Sequence, residues 1–191
     1  MRTSMLVVAL LLGACSSASP GASWPIASDS VIENGSFEQP RLAHGSWAVC
    51  EEMPGWITSF GPGIELQNND DLDRPAYQGR QYVELDSHAA SGMRQAVPLV
   101  PGTLYELRFA YAPRPGTGID DNAIEVRFDG QLIDTLRGSG EGQTRNRWSL
   151  RRYHVQSSGD RGVLEFRYVG TSNSLGGYLD DIALVREGGV G

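Results

Sequence analysis

The chain has 191 residues, with 16 basic groups against 23 acidic ones and a formal net charge of -7, and every basic group is an Arg. Without a basic excess, the electrostatic attraction behind sequence-independent nucleic-acid binding is missing, which excludes a nucleic-acid partner. The 24 glycines and 10 prolines stay below the range that signals disorder, and a hydrophobic share of 40% is enough to build the core of one domain without disulfide staples.

The chain opens with the short cationic stretch Met1 to Ser4 and the apolar run Met5 to Leu12. That run is far below the roughly 20 residues a spanning helix needs, so residues 1–14 are predicted to be a signal peptide. Leu12-Gly13-Ala14-Cys15 resembles a bacterial lipobox. The resemblance implies that Cys15 is lipidated and becomes the mature N-terminus. It also implies a location in the cell envelope, at the outer membrane because Ser16 rather than Asp follows the Cys, with the domain periplasmic or surface-exposed. An ordinary secretory leader that happens to end near a Cys is the alternative. Lipidation would leave Cys50 as an odd thiol, expected to act as a small buried apolar group. Residues 15–30 are rich in Ser, Ala, Gly and Pro and read as a flexible tether, with Trp24 its only large residue.

From Val31 onward period-two alternation recurs, and no apolar run carries helical spacing with caps. Strands are predicted at Tyr82 to Asp86, Tyr105 to Tyr111, Ile124 to Phe128, Gln131 to Leu136, Arg147 to Val155, Val163 to Val169 and Tyr178 to Val185, with a shorter run at Ile64-Glu65-Leu66. Asp129-Gly130 is a hairpin turn, because both residues tolerate positive φ. About eight antiparallel strands without helical connections predict an all-β fold, a jelly-roll β-sandwich spanning residues 31–187, with residues 188–191 a Gly-rich tail.

Six phrases recur in an order that resembles the DUF642 group of galactose-binding-like domains and, more distantly, the jelly-roll carbohydrate-binding modules of xylanases. They are Glu33-Asn34-Gly35-Ser36-Phe37-Glu38, Pro54-Gly55-Trp56, Gly63-Ile64-Glu65-Leu66, Gly79-Arg80-Gln81-Tyr82-Val83-Glu84-Leu85-Asp86, Ser91-Gly92-Met93-Arg94-Gln95 and Leu179-Asp180-Asp181-Ile182. In the related modules the matching Asp and Glu share a structural Ca²⁺. The resemblance therefore implies a calcium site formed by Asp180, Glu38, the Ser36 carbonyl and a carbonyl at Gln81. Gln78 stands where those modules often carry a Glu, which removes one negative charge and lowers the expected affinity. Strand alternation places Asp180 on the same side as Ile182 and Leu184, an inward carboxylate that needs a cation, backbone amides or an Arg.

For a ligand, aromatic rings offer large contact at little entropy cost, and planar polar groups read hydroxyls. Trp47, Tyr77, Tyr111, Trp148 and Tyr153 are the aromatic candidates, although Tyr111 shares the core-facing parity of Phe109. Arg114, on a loop stiffened by Pro113 and Pro115, and Asn122 after Asp120-Asp121 are the polar ones. The run Arg145, Arg147, Arg151 and Arg152 reads as a solvated strand face, and the acidic stretch Asn68 to Asp73 as a solvated loop. Asp86-Ser87-His88 sets three triad residue types side by side, but adjacent strand residues point to opposite faces. The expectation is a non-catalytic envelope lipoprotein module that binds a polysaccharide or glycan. A protein-binding adhesion or envelope-assembly component is the alternative.

Overall fold

The computed structural model describes residues 29–68 and 74–188. The expected signal peptide, Cys15, nearly all of the tether, positions 69–73 of the acidic stretch and residues 189–191 of the tail lie outside the described residues. Among the described residues, twelve strands form two antiparallel sheets. The first sheet contains β1 (Ser46–Cys50), β4 (Ile64–Asn68), β5 (Tyr82–Glu84), β12 (Tyr178–Arg186), β7 (Leu104–Ala112) and β10 (Ser149–Gln156), in that order across the sheet. The second orders β2 (Glu52–Met53), β3 (Trp56–Phe60), β6 (Gly92–Pro98), β11 (Arg161–Tyr168), β8 (Ile124–Phe128) and β9 (Gln131–Leu136). The fold is an all-β jelly-roll sandwich.

Alternation builds its core. Leu107 and Phe109 of β7, Val126 of β8 and Leu164 and Phe166 of β11 are fully buried between the sheets, and Trp56 joins them. Phe166 sits edge-on against Phe109 with ring centroids 5.1 Å apart. The β8–β9 hairpin turns at Asp129-Gly130 with φ of 49° and 75°, as the turn chemistry requires. Cys50 is half-buried and packs against the core, and burial raises its thiol pKa.

The structure adds strands β1, β2, β3 and β6 to those the alternation predicts, because β2 is only two residues long and β6 carries the inward-parity Gln95 between Met93 and Val97. β10 starts at Ser149, so Arg145 and Arg147 precede it. Arg151 sets its guanidinium 5.8 Å from the Tyr111 ring centroid, and Arg152 pairs with Glu106 at 3.2 Å. The expected solvated Arg face is thus divided among separate environments.

A second correction concerns Asp180. Pairing between β12 and β7 shifts register between Asp180 and Ala183, and Asp181 takes φ of 48°. This bulge inserts one residue, so Leu179, Ile182 and Leu184 all face the core while Asp180 points to the other side of the sheet.

Residues 31–42 enter the sandwich outside any strand, so side chains satisfy many of their backbone groups. Gln95 accepts from the Glu33 amide at 2.7 Å and donates to the Glu33 carbonyl at 3.0 Å. Gln81, fully buried, donates to the Phe37 and Pro40 carbonyls and accepts from the Leu42 amide. The Gly35 carbonyl accepts from the Ile182 amide at 2.8 Å. A Cβ on Gly35 would lie 1.8 Å from the Ile182 carbonyl oxygen. Gly35→Ala should therefore lower the urea midpoint by the equivalent of about 1–3 kcal/mol, the usual cost of overpacking, while far-UV circular dichroism stays that of a β-protein.

Candidate functional site

The outer face of the first sheet does not follow the usual rule of solvated polar residues. Opposite the core-facing Ile64, Leu66 and Val83, strands β4 and β5 present Glu65, Gln67, Tyr82 and Glu84, all buried. Glu65 stands directly opposite Glu84 in register, and Tyr178 opposite Glu84 on the other side. Two like charges facing each other across adjacent strands are destabilising unless bridged. Here Gln67 Nε2 donates to Glu65 Oε1 at 2.6 Å and to Glu84 Oε2 at 2.8 Å. Arg114 Nη1 meets the same Glu84 oxygen at 2.5 Å, and the Gly176 amide donates to Glu84 Oε1 at 2.6 Å.

Burial pushes the Glu84 carboxyl up to about 8, with Glu65 and Asp86 adding to the rise, while Arg114 and the Gly176 amide oppose it. The donors converging on its two oxygens are those an ionised carboxylate uses, so the observed geometry is that of the charged form.

Above this network opens a cleft of about 470 Å³, lined by Trp47, Glu65, Gln67, Arg74, Ser87, His88, Arg114 and Ser174. Trp47 on β1 is 58% exposed and stands edge-on to His88, with ring centroids 6.1 Å apart. The opposite wall is fastened by Asp86, whose carboxylate accepts from Ser172 Oγ and from the Asn173 and Ser174 amides at 2.9 Å each. Asp86 and His88 therefore serve different walls. A groove of about 580 Å³ at the β2–β3 edge has Glu51, Glu52, Ile57 and Phe60 among its lining residues, which include no cation and no buried carboxylate.

Of the residues singled out in the sequence, Trp47 and Arg114 meet at this cleft. Tyr77 and Trp148 belong to an adjoining aromatic group, in which Trp148 lies 6.3 Å from Tyr77 and 5.8 Å from Tyr82, and Tyr82 lies 4.8 Å from Tyr178. Trp148 is pinned there by its indole N–H, which donates to the Pro75 carbonyl at 2.9 Å. Arg114 connects the two groups, its guanidinium 5.8 Å from the Tyr178 ring centroid. Tyr111 and Asn122 do not face the cleft. Tyr111 is buried in the core, as its parity dictates, and its hydroxyl donates to the Asn122 carbonyl at 2.7 Å. Asn122 is fully buried, accepts from the Arg114 amide at 2.8 Å and donates to Thr117 Oγ1 and the Gly118 carbonyl. Both hold the loop that presents Arg114.

The residues expected at the cation site gather at one turn. Asp180, fully buried, accepts from the Tyr77 and Gln78 amides through Oδ2 and from the Asp181 amide through Oδ1, while desolvation raises its pKa. Glu38 Oε1 accepts from the Arg80 and Gln81 amides at 2.7 and 2.9 Å. The two carboxylates thus cap the turn at 77–81 from its two ends, Asp180 at the 77 and 78 amides and Glu38 at the 80 and 81 amides. Ser36 and Gln78 line an adjacent hollow of about 120 Å³, and the carboxylate that shares it is Asp181 rather than Asp180. Gln78 Oε1 is buried without a hydrogen-bond partner.

Sequence reasoning did not single out Gln67, used Glu65 and Glu84 only as parts of phrases, and set His88 aside with the Asp86-Ser87-His88 run. The available signal was the polar parity of β4 and β5, which marks residues facing away from the core without showing that a cleft covers them.

No protein-family model and no curated protein sequence matches the chain. Solved structures do. An arabinose-bound α-L-arabinofuranosidase matches with a TM-score of 0.55 at 10% identity, over 83% of this chain and 26% of that one. The carbohydrate-binding module TmCBM61, in complex with β-1,4-galactotriose, matches at 0.49 with 18% identity, over 84% of this chain and all of that one. The family 35 carbohydrate-binding module from Paenibacillus barcinonensis matches at 0.47 with 17% identity, over 75% of this chain. At these identities the likeness is one of fold.

The raised Glu84 carboxyl has a thermodynamic consequence. A carboxyl held at about 8 in the folded protein and at 4.5 when unfolded contributes stability that is fully present below 4.5 and lost as pH rises through 8. The wild-type melting temperature should fall between about pH 5 and 9, by the equivalent of a few kcal/mol from this group. Glu84→Gln should flatten that fall, as read by differential scanning calorimetry at matched ionic strength.

Proposed function

We propose that the chain is a non-catalytic module that binds a polysaccharide or glycan in the cleft between Trp47 and Arg114. One observation carries this reading: an exposed indole shares a cleft with buried, hydrogen-bonded Glu65, Gln67 and Glu84 and the half-buried Arg114. That combination suits a sugar, whose C–H faces pack on an aromatic ring while its hydroxyls meet planar polar groups fixed in advance. Preorganisation matters because a floor already bonded loses little freedom on binding. Binding rather than hydrolysis is favoured by the placement of Glu84, whose two oxygens are engaged beneath Arg114.

We further propose a lipid-anchored protein of the cell envelope, akin to the DUF642 group, on the strength of the Leu12-to-Cys15 sequence and the six phrases. A structural Ca²⁺ belongs to the same proposal. Gln78 Oε1 is an oxygen that a cation would satisfy, and the Ser36–Gln78–Asp181 hollow beside the Glu38 and Asp180 carboxylates supplies the hard oxygen donors that Ca²⁺ prefers. The ion would hold the turn at 77–81 to the entry segment and so steady Tyr77 beside the cleft.

In affinity electrophoresis against envelope and plant polysaccharides, the wild type should be retarded by at least one. Trp47→Ala should weaken that binding about tenfold or more with an unchanged melting curve. Uniform mobility across all the glycans would instead favour a protein partner. For the cation, millimolar Ca²⁺ should raise the melting temperature relative to EDTA, and Glu38→Gln should shrink the difference, because a ligand bound only by the folded state stabilises it by mass action.

A further inference from the structure

Arg114 lines the cleft but is bonded to a carboxylate beneath it. The Glu84 side chain is 0% exposed and that of Arg114 19%, so the guanidinium lies between the ligand space and its partner. Glu84 is also faced by Glu65 and Gln67 from β4, by Asp86 just beyond its own strand, by the Gly176 amide and Tyr178 at the start of β12, and by Tyr168 from β11. Arg114 is the positive group in this set, and Arg74, the other guanidinium on the cleft wall, already has a partner.

This arrangement makes the charge that a ligand meets depend on Glu84. With Glu84 ionised, two carboxylates share the floor and the Arg114 charge is locally cancelled, so an anionic sugar finds repulsion and no uncommitted cation. With Glu84 neutral, its hold on Nη1 weakens, and the planar guanidinium fork can take a ligand carboxylate in bidentate fashion. We propose that Glu84 sets the charge selectivity of the cleft: ionised, it restricts binding to uncharged saccharides, and neutral, it releases Arg114 to a saccharide carboxylate. The inference rests on the glycan-binding reading above. Burial of Glu84, which moves its titration to about 8, brings the change within reach of ordinary buffers.

The test is affinity electrophoresis of the protein against neutral galactan, xylan and mannan and against polygalacturonate, at about pH 6 and pH 9.5 and equal ionic strength. Wild-type binding to polygalacturonate should be about tenfold or more stronger at the lower pH, with binding to the neutral glycan little changed. Glu84→Gln should bind polygalacturonate alike at both pH values, and adding Arg114→Gln should abolish that binding. Equal polygalacturonate binding by the wild type at both pH values, its absence at both, or a Glu84→Gln variant that follows the wild-type pH dependence would overturn the selectivity role. Should Glu84→Gln fail to fold, the wild-type pH comparison decides by itself. Lack of retardation by any glycan at either pH would instead overturn the glycan-binding reading, so the two failures are distinct.

Discussion

The sandwich depends on how an irregular entry segment satisfies its backbone. Residues 31–42 have no ladder to join, and a buried amide or carbonyl without a partner costs about as much as a lost hydrogen bond. Gln95 supplies the missing partners from β6 of the second sheet and Gln81 from the turn that leads into β5 of the first, while Glu38 returns the favour by capping that turn. Trp56 adds its indole N–H to the Asn34 carbonyl at 3.3 Å. The entry segment therefore joins the two sheets, and the turn at 77–81 is held from both ends of the chain, by Glu38 and by Asp180.

That fastening bears on the cleft. Immediately before the turn, Pro75 accepts from Trp148 and Asn146, so the loop that lays Tyr77 against the aromatic group is tied to the segment leading into β10 as well as to β12. From the other side, the Asp86 carboxylate gathers residues 172–174. Buried under two tied loops, Glu65 and Glu84 lose the water that would otherwise solvate them, and their mutual repulsion is absorbed by one amide and one guanidinium. Opposing two carboxylates in register is a local conflict that a sheet face selected for stability alone would avoid.

Much of the architecture was legible in the sequence, because alternation survives wherever a strand has one face on the core. The β8 and β9 bounds are read directly from Ile124 to Phe128 and Gln131 to Leu136, and Asp129-Gly130 states its own turn. Strand β6 was hidden because Gln95 sits at an inward position, a choice intelligible only once the Glu33 backbone is seen beside it. Half of the cleft was legible: Trp47 and Arg114 announce themselves by chemistry, whereas Glu84 looks like any outward strand acid until the loops that cover it are in place. Tyr111 and Asn122 showed the reverse, polar or aromatic groups whose partners proved to be each other and the backbone. Asp180 was assigned to the wrong side because period-two counting assumes an unbroken strand.

That break at Asp181 makes β12 unusually tolerant of length at one point. The extra residue, in its left-handed conformation, is taken up between Asp180 opposite Ala110 and Ala183 opposite Arg108. Losing it would restore regular pairing and leave Leu179, Ile182 and Leu184 on the core side in unbroken alternation. A library of variants in the last strand would therefore accept deletion at 181 and, where the residue is kept, favour side chains that suit a positive φ.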